Sequence, residues 1–274
     1  DSGGGAGIQA DIKTVTALRG FAATALTALT AQNSLEVTGV IPTPPDFVAL
    51  QIATVMSDIG ADAVKTGMLV NAGIVTAAAD ALDSNAAGIP RVIDPVMVST
   101  SGDRLIDDEA VETIKARLFP GAAVITPNAI EAARLTGIEI CSEAAMREAA
   151  AVLHAFGPRA VLIKGGHVDG ETVVDLLFEG GELTGRFESE RIDSRNTHGT
   201  GCSLASAIAC GLAQGMETRA AVGRARSYVI EAIRTAPGYG AGHGPLNHAH
   251  TVKNFGDSLL NSKGETGELS KLSP

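Results

Sequence analysis

Ala160-Val161-Leu162-Ile163-Lys164, with Gly165-Gly166 directly behind it, is apolar on both faces that a β-strand presents. A strand of that kind belongs inside a sheet covered by helices on each side, and such sheets are mostly parallel. Three further runs toward the N-terminus repeat the pattern: Ala63-Val64-Lys65, Arg91-Val92-Ile93-Asp94 and Ala123-Val124-Ile125-Thr126. They begin roughly 30 residues apart, which leaves room for one crossover helix between strands. The spacing predicts a doubly wound α/β sandwich.

Helical patterns fill the gaps. Ile8 to Leu18 follows a glycine run, Pro44-Pro45-Asp46 starts a helix with Val48, Ile52, Val55, Met56 and Ile59 at apolar positions, and Asp107 to Leu118 and Ser142 to Phe156 supply two more. Ala23 to Ala31 reads as a strand with Gln32 at its end. Glu171 to Phe178 and Leu183 to Ile192 flank Glu179-Gly180-Gly181-Glu182, a glycine turn, and predict an antiparallel hairpin at the sheet edge. From Thr251 to Pro274 the chain has few apolar residues and no periodicity, which reads as a disordered tail behind a single domain spanning residues 1–250.

At 274 residues and 45% apolar content the chain can bury a full core. Its net charge of −10, without a Lys/Arg run, and its 3% aromatic content leave neither an electrostatic footprint nor stacking platforms for nucleic acid. No apolar run approaches the roughly 20 residues that cross a bilayer, and no basic stretch precedes an apolar one near residue 1, so a cytoplasmic protein is expected. Cys141, Cys202 and Cys210 form no CxxC pair, and six scattered histidines show no zinc spacing.

Chemistry concentrates where strands end, because ligands of open α/β sheets bind beyond the carboxyl ends of the strands. Lys65-Thr66-Gly67-Met68, Asp94-Pro95-Val96-Met97, Thr126-Pro127-Asn128 through Glu131, and Lys164-Gly165-Gly166-His167 all lie on that rim. Asp94 suits Mg²⁺, directly or through water, or is an ordinary turn residue. Asn128 and Glu131 make a competent capping box, a role that would itself explain the pair. Lys164 would neutralise a phosphate or sit at the surface, and Asp11 and Gln32 could hydrogen-bond an organic substrate.

Asn196-Thr197-His198-Gly199-Thr200-Gly201-Cys202 opens an amphipathic helix near Gly201 or Cys202. The free amides and dipole of such a helix start favour an anion, and the glycines allow close approach. The alternative is a tight turn with Cys202 as a small buried hydrophobe. A second glycine run, Gly3-Gly4-Gly5-Ala6-Gly7, suggests a second anionic or polar ligand group.

Read together, the ordered segments Asp1 to Asp11, Thr27 to Asn33, Lys65 to Leu69, Thr126 to Asn128, Lys164 to His167 and Asn196 to Cys202 resemble hydroxymethylpyrimidine/phosphomethylpyrimidine kinase, a ribokinase-like family of thiamin biosynthesis. The resemblance runs to about His248 and places the family's first strand ahead of residue 1. It implies a three-layer α/β/α sandwich and a homodimer. It also implies ATP- and Mg²⁺-dependent phosphorylation of 4-amino-5-hydroxymethyl-2-methylpyrimidine and then of its monophosphate. Asp11, Gln32, Met68 and Val96, with Gly5 and Ala6, would line the pyrimidine pocket. Gly199, Thr200, Gly201 and Cys202 would form the anion hole. Asp94 and Glu131 would hold Mg²⁺, with Thr126, Asn128 and Lys164 serving the ATP phosphates.

The resemblance also implies that Cys202 stands where many sugar kinases place an aspartate base. At a helix N-terminus its thiol is expected below the ordinary value of about 8.5, giving useful thiolate near neutral pH. Pyridoxal or pyridoxine phosphorylation is the alternative activity, and a non-catalytic vitamin- or nucleotide-binding protein is the alternative class.

Overall fold

The computed structural model describes residues 1–98, 102, 105–168 and 170–252. Six strands form the central sheet in the order β3 (Val64–Thr66), β4 (Arg91–Ile93), β5 (Val124–Ile125), β6 (Ala160–Ile163), β7 (Thr172–Glu179) and β8 (Glu182–Glu190). The pairs from β3 to β6 are parallel, whereas β6–β7 and β7–β8 are antiparallel, so the glycine turn does close an edge hairpin.

The both-faced apolar strands divide their side chains between two cores. Ile93, Ile125, Val161 and Ile163 pack into the layer of α2 (Pro45–Asp58), α3 (Ala72–Asn85), α4 (Asp108–Arg117), α5 (Ala129–Thr136) and α6 (Glu143–His154). Their neighbours Val92, Val124, Ala160 and Leu162 pack against α7 (Thr200–Ala213) and α8 (Thr218–Arg234). The period-2 alternation of a strand thereby produces the three-layer α/β/α sandwich.

One strand departs from its sequence reading. Ala23 to Ala31 does not form a single strand; β1 covers Ala28–Gln32 and pairs with β2 (Val37–Pro42) in a separate two-stranded antiparallel sheet. Its alternating half-buried and exposed residues suit an arm with one wet face, not a place in the central sheet. The predicted tail is docked as far as Thr251, whose hydroxyl donates to the Ala17 carbonyl at 3.0 Å, and 253–274 lie outside the described residues. Among the described residues, no helix is long and apolar enough to cross a membrane.

The C-terminal segment is tied to the start of α7 by a buried pair, with Ser203 Oγ 3.0 Å from His248 Nε2. Burial, helped by Lys13, pulls the His248 imidazole down to about 4, so the folded protein holds it neutral. Because the unfolded ring titrates near 6.5, this contribution is complete above that pH and is lost as pH falls toward 4. Urea unfolding across that window is expected to lose stability with falling pH more steeply in the native protein than in His248→Gln. Parallel curves would refute a neutral His248.

Candidate active site

The four parallel strands deliver their polar termini to one cavity of about 1340 Å³. Asp94, just beyond β4, is 2% exposed and accepts hydrogen bonds from Thr126 Oγ1 at 2.9 Å and Lys164 Nζ at 3.1 Å, on the same carboxylate oxygen. Thr126 thus reaches the site only through Asp94. Asn128 and Glu131 form the complete capping box of α5: the Asn128 side chain accepts from the Glu131 amide at 2.9 Å, and Glu131 accepts from the Asn128 amide at 2.8 Å. Both residues still line the cavity.

This cluster holds its charge unevenly. Burial opposes the Lys164 ammonium, but Asp94 and Glu131 hold it above its ordinary value. Burial pushes the Glu131 carboxyl up to about 7, with Asp94 adding to the effect and Lys164 opposing it. A second cation, Lys65 in the middle of the sheet-edge strand β3, pairs with Asp11 at 2.9 and 3.1 Å, and Ser206 donates to the same carboxylate at 2.7 Å. Burial opposes the Lys65 charge too, yet Asp11 and its other neighbours keep it above normal. Asp11 lines the cavity with its carboxylate already committed.

The two glycine loops have different jobs. Gly199 is the N-cap of α7 in the left-handed region, φ +84, and a Cβ there would stand 1.9 Å from the Gly5 carbonyl oxygen. The loops therefore meet backbone to backbone. The expectation that Gly3 to Gly7 receives its own ligand group is corrected: the amides of Gly3, Gly5 and Ala6 donate to the Asp1 carboxylate at 2.7, 3.1 and 2.9 Å. Asp1 also pairs with His198 Nε2 at 2.8 Å, tying the first loop to the second. Ala6 borders the cavity, and Gly5 acts as the floor under Gly199.

The helix start itself faces the charged cluster. A Cβ on Gly201 would lie 3.4 Å from Lys164 Nζ and 3.6 Å from Asp94 Oδ2, so this glycine leaves open the space beside the Lys164–Asp94 pair. Gly199, Thr200, Gly201 and Cys202 border the cavity along with Gln32, Met68 and Val96. The first amides of a helix have no intrahelical acceptors, so those of α7 are left to partners on the cavity side.

Cys202 requires a correction. Burial pushes its thiol above the ordinary value, and Asp11 and Asp94 push the same way, while Lys65 and a hydrogen bond from the Gly7 amide oppose them. Desolvation outweighs Lys65 and the Gly7 amide. Lys65, Ser206, Asp1 and His198 had no assigned role in the sequence reading. Lys65 lies on the strand-end rim, and Asp1 and His198 fall within segments that carry the resemblance, but their pairings have no local signal.

Among the described residues no group of three or more His, Cys, Asp or Glu side chains converges as a metal site. Asp94 and Glu131 remain a pair, and a pair suffices for Mg²⁺, which keeps several waters and shares substrate phosphates. Burial is the main cause of the upward push on Glu131, with Asp94 adding to it, and a cation beside the carboxylate would favour its ionised form.

The phosphomethylpyrimidine kinase family model matches residues 1–247. The chain is 52% identical over 257 residues to the thiamine biosynthesis bifunctional protein ThiED of Geobacter sulfurreducens, covering 94% of this chain and about half, 52%, of that longer protein. It is 50% identical over 248 residues to the hydroxymethylpyrimidine/phosphomethylpyrimidine kinase of Streptomyces coelicolor, covering 90% of this chain and 91% of the relative. Among solved structures, an ADP complex of Bacillus subtilis pyridoxal kinase superposes with a TM-score of 0.82 at 37% identity, covering 91% and 94% of the two chains. With a ribokinase-like sandwich, a glycine-opened helix start facing Lys164, and half of its residues shared with a pyrimidine kinase over 248 positions, the chain belongs to the phosphomethylpyrimidine kinase family.

Proposed function

We propose that the cavity carries out ATP-dependent phosphorylation of the hydroxymethyl group of 4-amino-5-hydroxymethyl-2-methylpyrimidine, and then of the resulting monophosphate. The observation that carries this reading is the open space at Gly201, within van der Waals reach of both Lys164 Nζ and Asp94 Oδ2. A phosphoryl group there meets the α7 amides on one side and an ammonium on the other.

Phosphoryl transfer through a loose transition state asks for positioning and charge stabilisation more than for early deprotonation. The amides from Gly199 to Cys202 would hold the equatorial oxygens and Lys164 would offset their charge. Asp94 and Glu131 would bind Mg²⁺, which supplies neutralisation of the ATP phosphates when present, and Asn128 would border those phosphates. Cys202 accepts the proton of the substrate hydroxyl through its thiolate, a minor form that Lys65 and the Gly7 amide favour. Gln32 and Met68 would read and cover the ring, with Val96 opposite.

Higher identity to pyrimidine kinases, 50% against 37% for the pyridoxal kinase, favours the pyrimidine over pyridoxal. The arm and α2 expose Leu29, Ile41, Phe47 and Leu50, each more than half accessible, and this apolar face supports a homodimer.

ADP release with Mg-ATP tests the reading. Turnover is expected with hydroxymethylpyrimidine and with its monophosphate, at least about tenfold faster than with pyridoxal, a ratio within reach of a few pocket contacts. Preference for pyridoxal would reassign the substrate, and nucleotide binding without turnover on any acceptor would make the protein a binder on a kinase scaffold.

A further inference from the structure

Lys164 leaves the sheet at a point where backbone pairing ends. The last β6–β7 pair is Ile163 with Leu176, and the next two amides find partners on opposite sides. The Lys164 amide donates to the Pro127 carbonyl at 3.0 Å, toward β5. The Gly165 amide donates instead to a side chain, Asp175 Oδ1 on β7, at 2.8 Å. There is no room for slack at this turn, since a Cβ on Gly165 would stand 2.0 Å from the Val174 carbonyl oxygen.

The other oxygen of Asp175 accepts from Arg226 Nε of α8 at 2.7 Å, and both residues are under a tenth exposed. Arg226 has few other partners: Ser189 Oγ at a long 3.4 Å from Nη2, and the Phe187 ring below the guanidinium. Burying two charges costs desolvation that their attraction repays only with excellent geometry, and apolar pairs of similar size are often as stable or more so. The pair is therefore poorly explained by stability alone. Besides tying α8 to β7, it anchors the Gly165 amide, which fixes the carbonyl-to-amide plane following Lys164 and so the direction in which that lysine leaves the chain.

We propose that Asp175 and Arg226 are a positioning pair for Lys164, holding the Lys164–Gly165 turn so that the ammonium faces Asp94 and the open space at Gly201. Both residues border the cavity, and the role assigned to them acts through the backbone at Gly165. This rests on the proposed role of Lys164 in phosphoryl transfer, and the readouts are chosen to separate the two claims.

Two double variants make the test. Asp175→Asn/Arg226→Gln removes both charges but keeps an acceptor for the Gly165 amide. Asp175→Leu/Arg226→Met removes the acceptor as well. The first is expected to keep kcat within about threefold of the native enzyme, and the second to lose about tenfold or more in kcat with the pyrimidine KM within about twofold, because misplacing a transition-state group by a fraction of an ångström costs turnover more than ground-state binding. Amide deuterium uptake in the peptide spanning Lys164 to Val168, followed by mass spectrometry, is expected to rise in the apolar variant and stay native-like in the amide variant.

If the apolar variant does not fold, Asp175→Ala/Arg226→Gln, which makes a smaller change, replaces it under the same expectations. A folded acceptor-less variant with native kcat and native exchange overturns the proposal. So does equal loss in both variants, which would mean a purely structural pair. Raised exchange that the amide variant restores, in a native protein inactive on the pyrimidine, would uphold the anchoring and refute the kinase reading instead.

Discussion

Gly199→Ala is expected to lower turnover by about 10²- to 10³-fold, the range seen when oxyanion-hole donors are lost. Two separate penalties meet at this residue. The left-handed backbone, φ +84, costs an alanine roughly 1 kcal/mol. The second penalty is harder to relieve, because the new methyl would stand 1.9 Å from the Gly5 carbonyl oxygen and 3.0 Å from its carbon. Both atoms belong to backbone, so no rotamer change helps, and the α7 start must move away from the loop that Asp1 braces. Gly137→Ala isolates the first penalty, since that residue has φ +76, ends α5 and has nothing within 4 Å of its would-be Cβ. It should lose about 1 kcal/mol in stability and nothing in kcat. Turnover lost equally in both variants would trace the effect to backbone strain, and native turnover in Gly199→Ala would remove the anion hole from the mechanism.

The sequence makes the layer order legible because β5 and β6 are short and wholly buried and β4 is buried beyond Arg91, so their apolar runs carry little competing surface signal. The same logic fails for β1 and β2. Their residues alternate or lie exposed, and nothing local distinguishes an arm from a sheet edge. At the site, the motif residues that line the cavity are readable from strand-end position alone. Commitments between distant segments are not. Asp11 and Lys65 are 54 residues apart and Asp1 and His198 are 197 apart, so no spacing rule connects them. The pKa of Cys202 is misjudged for the same reason: a helix terminus is visible in sequence, but the burial that raises the thiol is a property of the assembled fold.

That burial sets the expected behaviour of Cys202→Ser. The substitution should reduce kcat by about 10²-fold while leaving the pyrimidine KM nearly unchanged, within the usual contribution of an acid–base group. The thiol is raised above its ordinary value, so the neutral form dominates at pH 7 and the thiolate grows about tenfold per pH unit until that raised value is passed. Native turnover should therefore climb through pH 7 to 9, and the climb should vanish in the serine variant, whose hydroxyl does not ionise there. Alkylation offers a readout independent of catalysis. In a Cys141→Ser background, which removes the exposed thiol, iodoacetamide should label Cys202 slowly at neutral pH and faster as pH rises. Fast labelling at pH 7 would mean that Lys65 and the Gly7 amide outweigh desolvation after all. A pH-independent kcat in the native enzyme, together with unchanged turnover in Cys202→Ser, would leave the cysteine as packing at the helix start and the substrate hydroxyl free to lose its proton directly to the transferred phosphoryl group.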